Sequence, residues 1–241
     1  YSNDCDKSCN VCGATRSVGA HKYSNACDTT CNTCSAKRSI KHNYKTTTSK
    51  ATLTKNGSVV KTCTVCGKKT SATVKKVSTV KLYKTSYTYT GNVRVPTVIV
   101  KDSAGKALKK DVDYTVSYAS GRKNVGTYKV TIKFKGNYSG TKVLTFKINP
   151  PKTTLKKVTP ANDALKVTIT KKSTQTTGYQ VQYSTSKSFK STTTKTISSY
   201  KTTSLTLKKL KSSKTYYVRV RTYKTVGGTK YYSGWSTYKS A

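Results

Sequence analysis

The stretch SLTLKKLKSSKTYYVRVRTYK, residues 204–224, decides what kind of fold this chain adopts. Leu205 and Leu207 alternate with polar residues, as do Tyr216, Val218 and Val220, and a Lys-Ser-Ser-Lys turn separates the two runs. A period of two sends one face of each run to a core and the other to water, which is the pattern of half-buried antiparallel strands; a helix would space its apolar residues three and four apart. Outward from this stretch the same alternation recurs in ALKVTIT (164–170), GYQVQYST (178–185), KTISSY (195–200) and KYYSGWSTY (230–238). The predicted core of this region is Val167, Ile169, Tyr179, Val181, Tyr183, Leu205, Leu207, Leu210, Tyr216, Val218, Val220 and Trp235. Tyr216, Tyr217, Tyr223, Tyr231, Tyr232, Trp235 and Tyr238 could form a sugar-stacking platform, but alternation predicts that half enter the core and the rest cover the sheet.

Further upstream, VRVPTVIVK (93–101), DYTVSYA (113–119), TYKVTIKFKG (127–136) and KVLTFKI (142–148) read as strands. Asp102-Ser-Ala-Gly105, Gly121, Gly136-Asn137 and Gly140 mark the turns between them. This spacing predicts a second small sandwich of about seven strands. Asn149-Pro150-Pro151 separates the two regions as a short, stiff linker, because proline fixes its own φ and restricts its predecessor. The expected organisation is a Cys-rich segment at 1–75, a sandwich at 76–149 and a second sandwich at 150–241: mostly β throughout.

Composition narrows the function. The 241 residues carry 47 Lys and Arg against 7 Asp and Glu, a formal net charge of +40. All seven acids are Asp, and only six of the cations are Arg. The positive charge is spread along the whole chain, and lysine is a point charge without the guanidinium fork that reads bases. Sequence-specific nucleic-acid binding is therefore not expected; contact with anionic polymers is. No apolar run is long enough to span a membrane. No apolar h-region opens the chain and no Met starts it, so a processed chain or a fragment is expected. Catalytic machinery is not expected either. There is no Glu, both His lie among cysteines, and neither a nucleophile elbow nor a phosphate loop is present. Asp111 and Asp113 in DVDY read as a loop entering a strand, and Asp6 and Asp28 as turn caps. An autocatalytic Lys–Asn bond would need a buried acid, with Asp102, Asp111 and Asp113 as candidates.

Residues 1–75 hold every Cys and both His. YSNDCDKSCNVCGATRSVGAHK (1–22) repeats as YSNACDTTCNTCSAKRSIKHN (23–43), and a degenerate third unit carries Cys63 and Cys66. Each CxxC turn presents two thiolates to one ion, which suits Zn2+. Two groupings fit the spacing. One keeps Cys5, Cys9, Cys12 and His21 together, and likewise Cys27, Cys31, Cys34 and His42. The other opens each unit with its His: His21, Cys27, Cys31 and Cys34, then His42, Cys63 and Cys66, with Leu53 standing where a fourth ligand is wanted. Disulfides among the eight Cys are the alternative. Either way crosslinks must replace a core that these residues cannot build.

The stretch GYQVQYS with LTLKKLKSSKTYYVRVRTY and YYSGWS resembles a fibronectin type III domain, Leu210 and Tyr216 standing at the family's tyrosine corner and Ile169 near the position of its missing strand-B Trp. The run KLYKTSYTYTGNVRVPTVIVKDSAGKALKKDVDYTVSYASGRKNVGTYKVTIKFKGNYSG (81–140) resembles an Ig-like repeat of surface proteins from Clostridia-type Gram-positive bacteria, and the Cys units are similar to repeats of the same kind of protein. These resemblances imply an extracellular or cell-surface protein without enzymatic activity. The expected role is a stalk, adhesion or wall-anchoring module. The alternatives are a subunit of a self-assembling surface fibre and the targeting region of a larger cell-wall hydrolase.

Overall fold

A computed structural model describes residues 1–241, which form seventeen strands and no helix. The chain divides into two compact units. One comprises residues 1–78, 101–108 and 134–140; the other comprises 79–100, 109–133 and 141–241.

In the first unit, β1 (Tyr44–Ser49), β2 (Gly57–Cys63) and β3 (Lys69–Val74) make an antiparallel sheet in the order β1-β2-β3. The sequence gives little warning of it, because β1 and β3 are almost entirely exposed Thr, Ser and Lys with no apolar face to alternate. The ladder itself and its anchorage hold it. Ala51, just past β1, is fully buried, donates to Asn137 O at 2.9 Å and accepts from the Ser139 N–H at 2.9 Å. Gly57 opens β2 where a Cβ would sit 2.2 Å from Ser49 O and 2.5 Å from Ala51 N, so no other residue fits without moving backbone.

The middle of the chain supplies β4 (Val77–Leu82), β5 (Ser86–Thr88), β6 (Val98–Asp102), β7 (Tyr114–Tyr118), β8 (Gly126–Phe134) and β9 (Thr141–Asn149). β4 pairs with β6, and the other four form a sheet in the order β5-β9-β8-β7. The run VRVPTVIVK becomes a strand only from Val98. Pro96 has no N–H for a ladder, and Val93 and Val95 before it are exposed. The glycine turns form as read: Gly105, Gly121, Gly136 and Gly140 all have positive φ.

The last region is a sandwich of two sheets. β10 (Leu155–Ala161), β11 (Ala164–Ile169) and β14 (Ser204–Lys208) form one. β12 (Gly178–Ser184), β13 (Thr193–Ile197), β15 (Tyr217–Val226) and β16 (Thr229–Tyr232) form the other, in the order β13-β12-β15-β16, with β17 (Lys239–Ser240) on the start of β15. Its core contains Leu155, Leu165, Val167, Ile169, Tyr179, Val181, Ile197, Leu207, Val218 and Val220, with Tyr183, Leu205, Leu210 and Tyr216 packed against it. Each of the larger side chains removed from water contributes about 1.5–3 kcal/mol against the entropy of ordering the chain. Tyr179 is fully buried yet satisfied. Its hydroxyl accepts from the Lys172 N–H at 2.9 Å and donates to Tyr200 O at 3.0 Å, and burial raises its pKa above the ordinary tyrosine value. Tyr216 closes its corner by accepting the Lys211 N–H at 2.9 Å.

Trp235 departs from the expectation of a core residue: it is half-buried on the outer face. Ser233 donates to Thr222 O, but the next such bond, from Ser236, goes to Val220 O. Three steps on one strand against two on the other insert one extra residue, and that reverses the side on which Trp235 emerges. There it packs against guanidinium groups, Arg221 at 4.3 Å and Arg219 at 4.8 Å, while Phe189 and Tyr232 cover their other sides at 4.0 and 4.1 Å. Gln182 and Gln180 accept from Arg219 and Arg221 respectively. Of the Tyr-rich group, Tyr223 is buried and Tyr238 is exposed. Pro151, in the linker, is tied down by the Thr222 hydroxyl, which donates to its carbonyl at 2.6 Å.

Candidate functional site

The two units, 1–22 and 23–43, fold alike because the residues they share have the same tasks in each. Asn3 Oδ1 accepts the Cys5 N–H at 2.9 Å, and Asn25 Oδ1 accepts the Cys27 N–H at 2.8 Å. Asp6 caps the turn by accepting from Ser2 and Asn3, and Asp28 by accepting from Ser24 and Thr30. The Ser2 N–H leads in holding the Asp6 pKa below the ordinary carboxylate value; at Asp28 the Ser24 N–H leads, followed by that of Thr30. Arg16 reaches back to the carbonyls of Asp6 and Asn3 at 3.2 and 2.7 Å, and Arg38 to those of Asp28 and Asn25, both at 2.8 Å. Each guanidinium also covers the ring that opens its unit, Arg16 over Tyr1 at 4.0 Å and Arg38 over Tyr23 at 3.6 Å. Asp6 and Asp28 are thus turn caps, as their sequence positions imply.

Three CxxC turns have one geometry. The first Cys of each donates its N–H across the turn at 2.8 Å: Cys9 to Ala14 O, Cys31 to Ala36 O and Cys63 to Lys68 O. Its carbonyl accepts from the residue after the second Cys, namely Gly13, Ser35 and Gly67, all of which have positive φ. Such a turn points backbone N–H groups at the first sulfur, as from Cys12 to Cys9 at 3.4 Å and Thr33 to Cys31 at 3.5 Å.

The structure then joins ligands across units. Among the described residues, two groups of three Cys and one His come together: Cys5, His21, Cys31 and Cys34, and Cys27, His42, Cys63 and Cys66. In each, the four ligand atoms lie within 4.8 Å of one another. Cys5 Sγ is 3.9 Å from Cys31 Sγ, and His21 Nδ1 is 3.2 Å from Cys34 Sγ. Cys27 Sγ is 3.4 Å from Cys63 Sγ, and His42 Nδ1 is 3.5 Å from Cys66 Sγ. No two of the eight cysteines are joined by a disulfide. Neither grouping read from spacing appears in this form. Each unit lends its first Cys and its His to the CxxC turn of the following unit. Cys27 fills the place for which Leu53 stood as a stand-in, and Cys9 and Cys12 belong to neither group.

The cause is local. Arg16 and the Asp6 cap fix the loop carrying Cys5, and a backbone bond beside each His fixes the handover: the Asn32 N–H donates to Lys22 O, and that of Thr64 to Asn43 O, both at 2.9 Å. The bonded residues follow His21 and His42 directly, which lays each His beside the next turn. Contiguity in sequence suggested closed units; the signal that opposed it was the His-x-Tyr junction starting each new unit.

The thiols in each group are polarised in opposite senses. Cys31 is lowered to about 5, chiefly by the Thr33 N–H, and Cys63 to about 6, chiefly by the Cys66 N–H. Burial and neighbouring thiols push Cys5 and Cys27 up to about 12. A divalent cation among these atoms removes that penalty by replacing protons as the neutralising charge.

The remaining candidates have structural employment. Asp102 is buried, and its Oδ1 accepts from Ala104 and Lys106 at 2.9 and 3.0 Å, closing the Gly105 turn. Asp113 accepts the Lys109 N–H at 2.8 Å, and exposed Asp111 lies 3.9 Å from Lys110 Nζ.

Residues 149–237 match the family described as the fibronectin type III domain. Among solved structures, the FN1–FN3 domains of chicken CNTN1 are 14% identical, with 77% of this chain and 73% of that chain covered at a TM-score of 0.32. Domains A168–A170 of titin are 15% identical, with 85% of each chain covered at a TM-score of 0.28. No curated protein matches the chain.

Proposed function

We propose that this chain is a non-catalytic extracellular spacer or adhesion module, a zinc-stapled head followed by β-sandwich domains, whose lysine-rich surface contacts anionic polymers of a cell wall or host matrix. The observation that carries the proposal is how the seven acids are spent. Asp6, Asp28, Asp102 and Asp113 accept backbone N–H groups, and Asp163 accepts the Ser212 hydroxyl. Those hydrogen bonds leave the Asp charges in place, but seven Asp offset only seven of the 47 cationic charges. The one ion pair, Lys110 with Asp111, is exposed on both sides and contributes little. A surface so uncompensated attracts polyanions through counterion release. The fibronectin type III match over 149–237 is to a domain type that commonly works outside cells, and no helix is long and apolar enough to cross a membrane.

Zinc fits the two Cys3His groups. With Zn–S near ~2.3 Å and Zn–N near ~2.0 Å, a tetrahedron has S···S edges of about 3.8 Å and S···N edges of about 3.5 Å. The observed pairs, 3.9 and 3.4 Å between sulfurs and 3.2 and 3.5 Å from sulfur to nitrogen, lie within about 0.4 Å of those values. A histidine in each group is required by a metal and idle in a disulfide.

Binding to purified wall polymer, an acidic glycan and a neutral glycan, each across a salt series, tests the surface reading. Affinity for both anionic polymers should fall steeply and linearly in log–log form as salt rises, with none for the neutral glycan. Equal binding to all three, or none at low salt, refutes it.

A further inference from the structure

The outer face of the sheet β13-β12-β15-β16 carries cations that no acid offsets. Arg219 and Arg221 stand two residues apart on β15, about 7 Å along the strand, with Phe189, Trp235 and Tyr232 stacked beside and between them. The one acid of residues 155–241, Asp163, lies on the other sheet, between β10 and β11, and accepts from Ser212. Gln182 and Gln180 accept from the two guanidinium groups at 2.7 Å each. A guanidinium only donates, so each amide turns its nitrogen the other way. There Gln182 donates to the hydroxyls of Thr192 and Thr194, both at 3.2 Å. Each of those exposed hydroxyls keeps its own proton to donate outward. The face therefore offers N–H and O–H donors, with its amide acceptors already used. Burial lowers the pKa of both arginines below the ordinary value, as befits charges drawn partly out of water without a carboxylate beside them.

The same face runs into a cleft. Tyr232, which covers Arg221 at 4.1 Å, also lines a cleft of about 340 Å3 between the edge strand β16 and strands β8 and β9 of the preceding sandwich. Lys147, Lys230, Thr127, Asn149 and Tyr231 line it too, and no acid does. Bonds across the junction fix its shape: the Tyr231 and Thr127 hydroxyls are 3.1 Å apart, and Gln175 accepts the Val125 N–H at 3.1 Å. The volume lies at the low end for small-molecule sites and has room for a sugar residue.

We propose that the cleft and the adjoining arginine ladder form one binding track for a uronic-acid polysaccharide. A pyranose ring sits against Tyr231 and Tyr232 in the cleft, with its carboxylate at Lys147 and Lys230. Further carboxylates along the polymer meet the edges of the Arg221 and Arg219 guanidinium groups, whose planar fork matches a carboxylate. Aromatic rings beside hydroxyl and amide groups suit a sugar; a bare phosphate chain has no apolar ring face to lay against them. This rests on the polyanion reading given above and narrows it from charge spread over the chain to one place.

Trp235 is the only tryptophan in the chain and stacks on Arg221, so its emission reports on this face directly. The full chain is titrated with oligogalacturonate, with the same oligomer carboxyl-reduced to a neutral sugar, and with polyglycerol phosphate. Oligogalacturonate should change Trp235 emission saturably, and the neutral oligomer should not bind. Lys147→Ala with Lys230→Ala should weaken oligogalacturonate binding about tenfold. Lys156→Ala with Lys166→Ala removes the same charge from exposed positions on the other sheet and should weaken it less than about twofold. Both double variants alter exposed side chains and should keep the original denaturation midpoint. Equal losses in the two double variants, or binding that leaves Trp235 emission unchanged, overturn the track while the polyanion reading stands. Polyglycerol phosphate that binds as tightly with the same change at Trp235 makes a phosphate chain the occupant and overturns the polysaccharide assignment. No binding of any polyanion at low salt removes the broader reading beneath, a result distinct from binding that bypasses this face.

Discussion

Residues 1–43 and residues 155–241 solve one problem by opposite means. Both must offset the entropy of ordering a polar, lysine-rich chain. The later region does so with a continuous apolar core, in which Val167, Tyr179, Val181, Val218 and Val220 have no exposed surface. The earlier region buries a single cysteine, Cys31, and is built on side-chain links to backbone, two Arg–Tyr stacks and two clusters of three Cys and one His. One stability is distributed over many contacts and the other is concentrated at a few ligand atoms. The two regions should therefore fail under different agents.

Metal removal is the largest expected effect. Structural zinc contributes about 10 kcal/mol or more to folding in small domains. EDTA with reductant should abolish hydrogen-exchange protection in residues 1–43 while leaving the thermal transition of 155–241 in place. If reductant alone abolishes protection, disulfides hold the head and the contrast is drawn with the wrong crosslink. Acid should act as a weaker chelator. With Cys5 near 12 and Cys31 near 5, at neutral pH the first is a thiol and the second a thiolate, so an entering ion must displace the Cys5 proton. Affinity for Co2+ should drop at least tenfold per pH unit between pH 8 and 6, and faster as pH approaches 5 and Cys31 also takes up a proton. A flat profile across that range would contradict the assignment of Cys5 as a ligand.

The converse perturbation is next in size. Leu207→Ala or Ile169→Ala removes a side chain that is 1% exposed and should cost about 2–5 kcal/mol, visible as a lowered denaturation midpoint for 155–241. Metal content should stay at two ions per chain. Loss of both metal and sandwich stability would mean that the two regions do not fail separately.

The contrast also explains what the sequence discloses. Strands whose apolar residues alternate strictly, such as β8, β11, β12 and β15, are legible because burial on one face writes the pattern. β10 is not: Lys156 and Lys157 are adjacent, the register shifts between Leu155 and Lys157, and Pro160 interrupts the run. β1 and β3 are illegible because their faces are almost entirely exposed and polar. The ligands were legible as residue types and not as partners. Cysteine chemistry is written in the chain, but the choice between Cys9 and Cys31 for Cys5 is made by Arg16, Asp6 and one backbone bond from Asn32.

The smallest effects test those positioning contacts. Arg38→Ala removes two charge-assisted bonds to the carbonyls of Asn25 and Asp28 and should cost about 2 kcal/mol, read as weaker Co2+ binding at the group containing Cys27. Tyr23→Leu removes the ring under the Arg38 guanidinium, 3.6 Å away, together with its tilted contact to the His21 ring, and the loss of the stack should cost about 0.5–1 kcal/mol, a few-fold in affinity at the group containing Cys27. In Arg38→Ala the group containing Cys5 should keep its full affinity, because the loop carrying Cys5 is held by Arg16. If Tyr23→Leu weakened binding more than Arg38→Ala, the ring would be the main support of the loop and the carbonyl bonds secondary. The expected order is the reverse, because a guanidinium that loses its ring still holds two carbonyls, whereas alanine leaves the Cys27 loop with neither.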